Sequence, residues 1–157
     1  MKTGIIIVFH NYENELHPKV LVNQIQKIVH VPLCLVNNDS KDETYDILKD
    51  VRDLCQNVSV VNIKKFKSDM SAVRAGARFL LSQYQLKHLG YINTNLISSN
   101  LGFVPFLEVF AAYHNDIISM GISNQKPSKQ KTTQPLFSVV DEVQKLKASF
   151  QKENILQ

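Results

Sequence analysis

The sequence predicts an α/β fold, a mostly parallel, doubly wound sheet with flanking helices. Two observations carry this. Short, β-branched apolar runs alternate with segments whose apolar residues recur every three or four positions, giving the order βαβαβαβ over residues 4–92. The runs also stop in polar clusters: His10-Asn11, Asn37-Asn38-Asp39, Lys64-Lys65 and Asn93-Thr94-Asn95. In such sheets ligands bind in the crevice outside the carboxyl ends of the strands, so the first, second and fourth clusters are expected to share one site. A chain of 157 residues is about one domain and buries roughly two-thirds of its unfolded surface.

The run from Gly4 to Phe9 is apolar on both faces, as the centre of a parallel sheet requires. Val20, Leu21, Ile25, Ile28 and Val29 then recur at helical spacing, and Pro32 forces that helix to end before it. The second strand is expected at Leu33 to Val36. Ser40 followed by Glu43 has the pattern of a capping box, so a helix is expected from Lys41 to Cys55. A third strand (Val58 to Ile63), a third helix (Met70 to Tyr84) and a fourth strand (Leu89 to Ile92) follow. Beyond these, the patterning predicts a helix over Gly102 to Tyr113, a strand over Asp116 to Ile122 and a last helix beginning at Ser138. The polar stretch between these last two is expected to be a mobile linker. The expected division is 1–124 as a ligand-binding domain, 125–137 as a flexible linker and 138–157 as a C-terminal helix that docks on the domain or on a partner chain.

Composition is that of a soluble globular protein, 44% hydrophobic and 20% charged. No apolar run approaches the roughly 20 residues a membrane helix needs. The opening apolar run ends too soon for a signal peptide, so a cytoplasmic protein is expected. The net charge of +4 is dispersed, much of it in Lys126, Lys129, Lys131, Lys145, Lys147 and Lys152. No basic stripe interleaves with aromatics, which argues against nucleic acid. A basic chain still favours an anionic ligand through its summed field. Cys34 and Cys55 lack metal-type spacing and are expected to be reduced core residues. The five histidines likewise lack metal-ligand spacing.

The loop Val36-Asn37-Asn38-Asp39-Ser40-Lys41-Asp42-Glu43-Thr44 resembles the Val-Asp-Asp-Gly-Ser-x-Asp-x-Thr signature of family 2 glycosyltransferases. Ser40, Asp42 and Thr44 match, Asn37 and Asn38 replace the acidic pair, and Asp39 takes the glycine position. Three further stretches resemble the same family in the same order. The first strand ends in His10-Asn11 with Glu13 close behind; the segment Ser71 to Ala77 carries Ala72 and Gly76, with Arg74 where asparagine is usual; and Asn93-Thr94-Asn95 stands at the metal-binding Asp-x-Asp motif.

The resemblance covers about Lys2 to Asn124 and implies the nucleotide-binding half of a GT-A fold. It further implies a nucleotide-diphospho-sugar donor, UDP- or GDP-linked, and inverting sugar transfer to a hydroxyl. The donor-binding residues it implies are His10, Asn11, Glu13, Asn37, Asn38, Arg74, Asn93 and Asn95. The divalent metal of the family, Mn²⁺ or Mg²⁺, would fall on Asn93 and Asn95. Hard cations require anionic oxygen ligands, and both carboxylates are amides here. The acidic pair Asp141-Glu142 falls near the start of the last helix, where the dipole favours acids without any catalytic role. Two readings stay open: a glycosyltransferase-like protein, or a non-catalytic binding and assembly module on the same fold.

Overall fold

The computed structural model describes residues 3–97, 102–123 and 136–155. Its sheet contains β1 (Thr3–Phe9), β2 (Leu33–Asn38), β3 (Val58–Ile63), β4 (His88–Asn93) and β5 (Leu136–Ser138). Their order is β3-β2-β1-β4-β5, and every neighbouring pair is parallel. The helices are α1 (Pro18–Gln26), α2 (Thr44–Leu54), α3 (Asp69–Gln83), α4 (Val104–Ser123) and α5 (Val139–Ile155). The α/β architecture expected from the patterning is the one observed.

All seven residues of β1 are buried, because β1 lies third of five strands with helices on both faces. Strand periodicity then divides the core. Ile5, Ile7 and Phe9 face one layer, where they meet Leu21 and Ile25 of α1, Leu48 and Val51 of α2, Leu107 and Phe110 of α4, and Val143 of α5. Ile6 and Val8 face the other, where Ala72, Val73, Ala77 and Leu80 of α3 form the helical side with Cys34 and Val36. Phe9, Tyr12 and Phe103 stack as an aromatic cluster beneath the β1–α1 loop, with centroids 5.3–5.9 Å apart.

Two elements differ from the sequence reading. Asp116 to Ile122 is not a strand; α4 continues through it to Ser123, with Ile117 and Ile118 buried. A bend at Tyr113 (φ −129°, ψ 29°) shifts the helical phase, so the apolar spacing before and after it does not line up. The fifth strand instead comes from Leu136–Ser138, of which residues 136–137 were expected in the linker. It pairs Leu89 with Leu136 and Tyr91 with Ser138. Three residues are too few to show an alternating pattern, so β5 is specified by its neighbour. The remainder of the expected linker, residues 125–135, lies outside the described residues. No helix among the described residues is long and apolar enough to cross a membrane. Both cysteines are free and buried, and burial pushes the Cys34 thiol up to about 12.

Gly76 has a packing role. A Cβ there would lie 2.6 Å from Cγ2 of Ile6 and 2.9 Å from Cγ2 of Val36, both fully buried and β-branched. Gly76→Ala gains about 1 kcal/mol of helix propensity, but overpacking a filled core typically costs about 1–3 kcal/mol. The expected result is a net loss of stability in urea unfolding. A midpoint at or above that of the native sequence would show that α3 can retreat from the sheet freely.

Candidate functional site

The loops that leave β1 and β2 are joined by a reciprocal set of hydrogen bonds. The amides of Asn11, Tyr12 and Glu13 donate to Ser40 Oγ (3.0 Å), Thr44 Oγ1 (2.8 Å) and Asp42 Oδ2 (3.2 Å). In return, the amides of Lys41 and Glu43 donate to Asn11 Oδ1 (2.7 Å) and Glu13 Oε2 (3.2 Å). Thr44 is fully buried, and its hydroxyl and amide both donate to Asp42 Oδ1. The expected capping box is therefore not formed. Helix α2 starts at Thr44, with Glu43 as an N-cap that makes no side-chain cap bond. The Ser40 oxygen satisfies the neighbouring loop instead, because the parallel pairing of Phe9 with Asn37 sets the two loops side by side.

Each loop turns through a left-handed residue, Asn11 at φ 48° and Asp39 at φ 51°. Asn and Asp tolerate this region better than other side chains. It also accounts for the glycine that the resembled signature carries at the Asp39 position. Lys41 Nζ, 2.9 Å away, holds the Asp39 carboxyl below the usual range.

The structure uses Asn38 completely. Its Nδ2 donates to the Lys67 carbonyl (2.9 Å) and its Oδ1 accepts from the Lys67 amide (3.0 Å), which pins the β3–α3 loop over the end of β2. His10 lies beneath that loop. Its Nδ1 donates to the Asn38 carbonyl at 2.6 Å, its Nε2 accepts from Asn11 Nδ2 at 3.2 Å, and its ring meets the half-exposed Phe66 edge-on at 4.7 Å. Asn37 is buried; its Nδ2 donates to Asn62 Oδ1 (2.8 Å) while its own Oδ1 has no partner among the described residues. It lines a cleft of about 340 Å³ with Asp39, Ser40, Tyr45, Asp46, Asn62 and Lys64.

At the end of β4, Thr94 is buried and its hydroxyl donates to the Val8 carbonyl at 2.7 Å, so it anchors the motif to β1. Asn93 is 4% exposed and its Oδ1 has no partner among the described residues. It opens on a cleft of about 260 Å³ lined by Tyr91, Leu96, Ser138, Val140, Asp141 and Gln144. Ser138 accepts from the Asp141 amide (3.3 Å) and so starts α5 at this cleft. Burial, and then the negative charge of Asp141, raise the Tyr91 phenol above its ordinary value. Sequence reasoning set Asp141 aside as a helix-start acid. Ser138 three residues before it, an N-cap signal, was the one pointer that α5 begins where β5 ends. Asn95 is exposed and donates to Asp69 Oδ1 (3.2 Å). Arg74 is exposed on α3.

The expected donor residues are thus drawn to one end of the sheet but not into one cavity. Asn37 and Asn93 line separate clefts, with His10 just past the end of the strand between them. Among the described residues no group of three His, Cys, Asp or Glu side chains could hold a metal ion. At the metal-motif position Asn93 is neutral and the Asn95 amide is engaged by Asp69. This donor set does not fit a resident hard cation.

No family model matches the chain, and no curated protein matches it. Among solved structures, the crystal structure of S. aureus TarS 1-349 is similar over 83% of this chain and 39% of that one, at 15% sequence identity and a TM-score of 0.49.

The loop network makes two measurable statements. Thr44→Val keeps shape but leaves the Tyr12 amide without an acceptor, and losing a buried partner costs about 1–3 kcal/mol. Equilibrium unfolding at neutral pH measures that loss. For Asp42, burial pushes the carboxyl up, but donation from the Thr44 hydroxyl, the Thr44 amide and the Glu13 amide outweighs it, so the net shift is downward. Its contribution is therefore present above about pH 4 and is lost as pH falls through the lowered folded value. Glu43 acts in the opposite sense, since Asp46 beside it raises its proton affinity. Asp42→Asn should flatten the acid limb of a stability–pH profile; an unchanged limb contradicts this assignment.

Proposed function

We propose that this chain is a glycosyltransferase-like protein of the family 2 type that binds a nucleotide-diphospho-sugar at the carboxyl ends of β1, β2 and β4. The observation that carries the reading is Asn93. A buried amide oxygen without a partner costs about 1–3 kcal/mol, and this one, unpartnered among the described residues, belongs to a residue at the resembled motif that lines the cleft walled by Asp141. A polyhydroxylated ligand supplies the missing donor. In this reading Asn37 and His10 border the nucleoside. Asn11, Glu13 and Asn38 shape the loops rather than touch the ligand, because their side chains are spent on the backbone.

If transfer occurs, the Asp141 carboxylate takes the proton of the acceptor hydroxyl as its oxygen attacks the anomeric carbon. The bond from that carbon to the phosphate oxygen breaks, with inversion, and the nucleoside diphosphate leaves. In this reading the exposed lysines of the β3–α3 loop, Lys64, Lys65 and Lys67, supply positive charge at the ligand end of the sheet. A second reading, a binding module without turnover, is favoured by the replacement of both motif carboxylates with Asn93 and Asn95.

Calorimetric titration with UDP- and GDP-sugars, with and without Mn²⁺ and after EDTA, tests this. The expected result is binding that does not respond to metal, weakened about tenfold or more by Asn93→Ala, a loss of about 1.4 kcal/mol. Asp141→Asn should leave binding intact and abolish any sugar transfer. Binding without turnover in the native chain selects the binding module. No binding at millimolar donor rejects the donor site.

A further inference from the structure

We propose that His30 and His114 form a surface site for a borderline transition-metal ion, of the Zn²⁺, Cu²⁺ or Ni²⁺ class, at the end of the molecule where α1 turns into β2. The two Nε2 atoms lie 3.4 Å apart, with ring centroids at 5.1 Å and planes inclined by 60°. Zinc–imidazole bonds are about 2.0–2.1 Å long, so two ligands of a tetrahedral ion stand about 3.3–3.4 Å apart. Hydrogen bonds from nitrogen cluster nearer about 2.9–3.0 Å, so the observed spacing suits a shared ion better than a direct bond.

Both imidazoles are delivered by structured elements. His30 lies within the turn in which the Ile28 and Val31 amides donate to the Ile25 and Ile28 carbonyls, and Asn57 Nδ2 donates to the Ile28 and Val31 carbonyls (3.1 and 2.8 Å). His114 is the first residue after the bend of α4 at Tyr113, and its ring lies 6.3 Å from that of Phe110. Helices α1 and α4 pack against each other, so the 84-residue separation between the ligands is closed by the core and not by the metal. The bend therefore has a consequence at the surface: it places an imidazole of α4 against the α1–β2 turn. Neutral imidazole suits zinc, copper and nickel, and magnesium and calcium prefer oxygen. With two protein ligands, water fills the remaining positions. Among the described residues the buried His114 Nδ1 has no hydrogen-bond partner, so the usual outer-sphere support is missing and the site is a weak one. It is independent of the sugar-transfer reading, since neither histidine lies at the carboxyl ends of the strands.

The test uses the full chain without a histidine tag. Zinc chloride is titrated while the imidazole resonances are followed by NMR, and thermal midpoints are recorded with zinc, magnesium or EDTA. The expected result is a shift confined to the His30 and His114 rings, with His10, His17 and His88 unmoved, and a zinc-dependent rise in midpoint that magnesium does not reproduce. His30→Ala and His114→Ala should each weaken zinc binding about tenfold or more, while His17→Ala should not. The ring resonances of the native chain decide the matter even if a variant folds poorly. Absence of a response at millimolar zinc, equal response of all five rings, or binding that survives both substitutions overturns the proposal.

Discussion

The architecture depends on the exchange of hydrogen bonds between the loops after β1 and β2. Five backbone amides that leave the sheet at its ligand end are satisfied by five side-chain oxygens of the opposite loop. The Tyr12 amide is buried and would lose its bond outright without Thr44, whereas the more exposed amides around it gain order from partners that no regular ladder supplies. The exchange fixes the entry of α2, the left-handed turns at Asn11 and Asp39, and the position of His10 at the end of β1. Thr44 is its most constrained member, fully buried and bonded both to the opposite loop and to Asp42.

The sheet is covered unequally, and this decides where clefts exist. Four helices contribute to the core on one face, whereas α3 stands alone on the other and reaches close contact through Gly76. The cleft at Asn93 opens where β4 and β5 end, against the first turn of α5. The cleft at Asn37 opens on the other side of β1, between the ends of β2 and β3 and the start of α2. Each is lined by an asparagine whose buried amide oxygen has no partner among the described residues. Polar atoms left in that state at the ends of parallel strands are where a ligand is worth most, because it replaces a missing bond and displaces no existing one.

How much of the site was legible follows from the range of each interaction. The polar clusters that end β1, β2 and β4 were visible as abrupt changes in composition, and each does lie at the crevice end of its strand. Asn38 and Asn11 looked ligand-facing by pattern, yet their amides are consumed by Lys67 and Lys41, 29 and 30 residues away. Ser40 and Glu43 looked like a local cap, yet the Ser40 hydroxyl and the Glu43 amide find their partners across the loop pair. Asp141 looked like an ordinary first-turn acid, and β5 was too short to announce itself, so the wall of the Asn93 cleft was not legible.

By itself the sequence determined the alternation of strands and helices through residue 93, the parallel sheet, and the polar ends of the strands, because hydrophobic periodicity and turn chemistry are set within a few residues. Tertiary structure alone decided which polar side chains are free. Whether an asparagine faces a ligand or holds a neighbouring loop depends on which backbone amides lack partners nearby. Those amides belong to segments tens of residues distant, brought alongside only when the sheet closes.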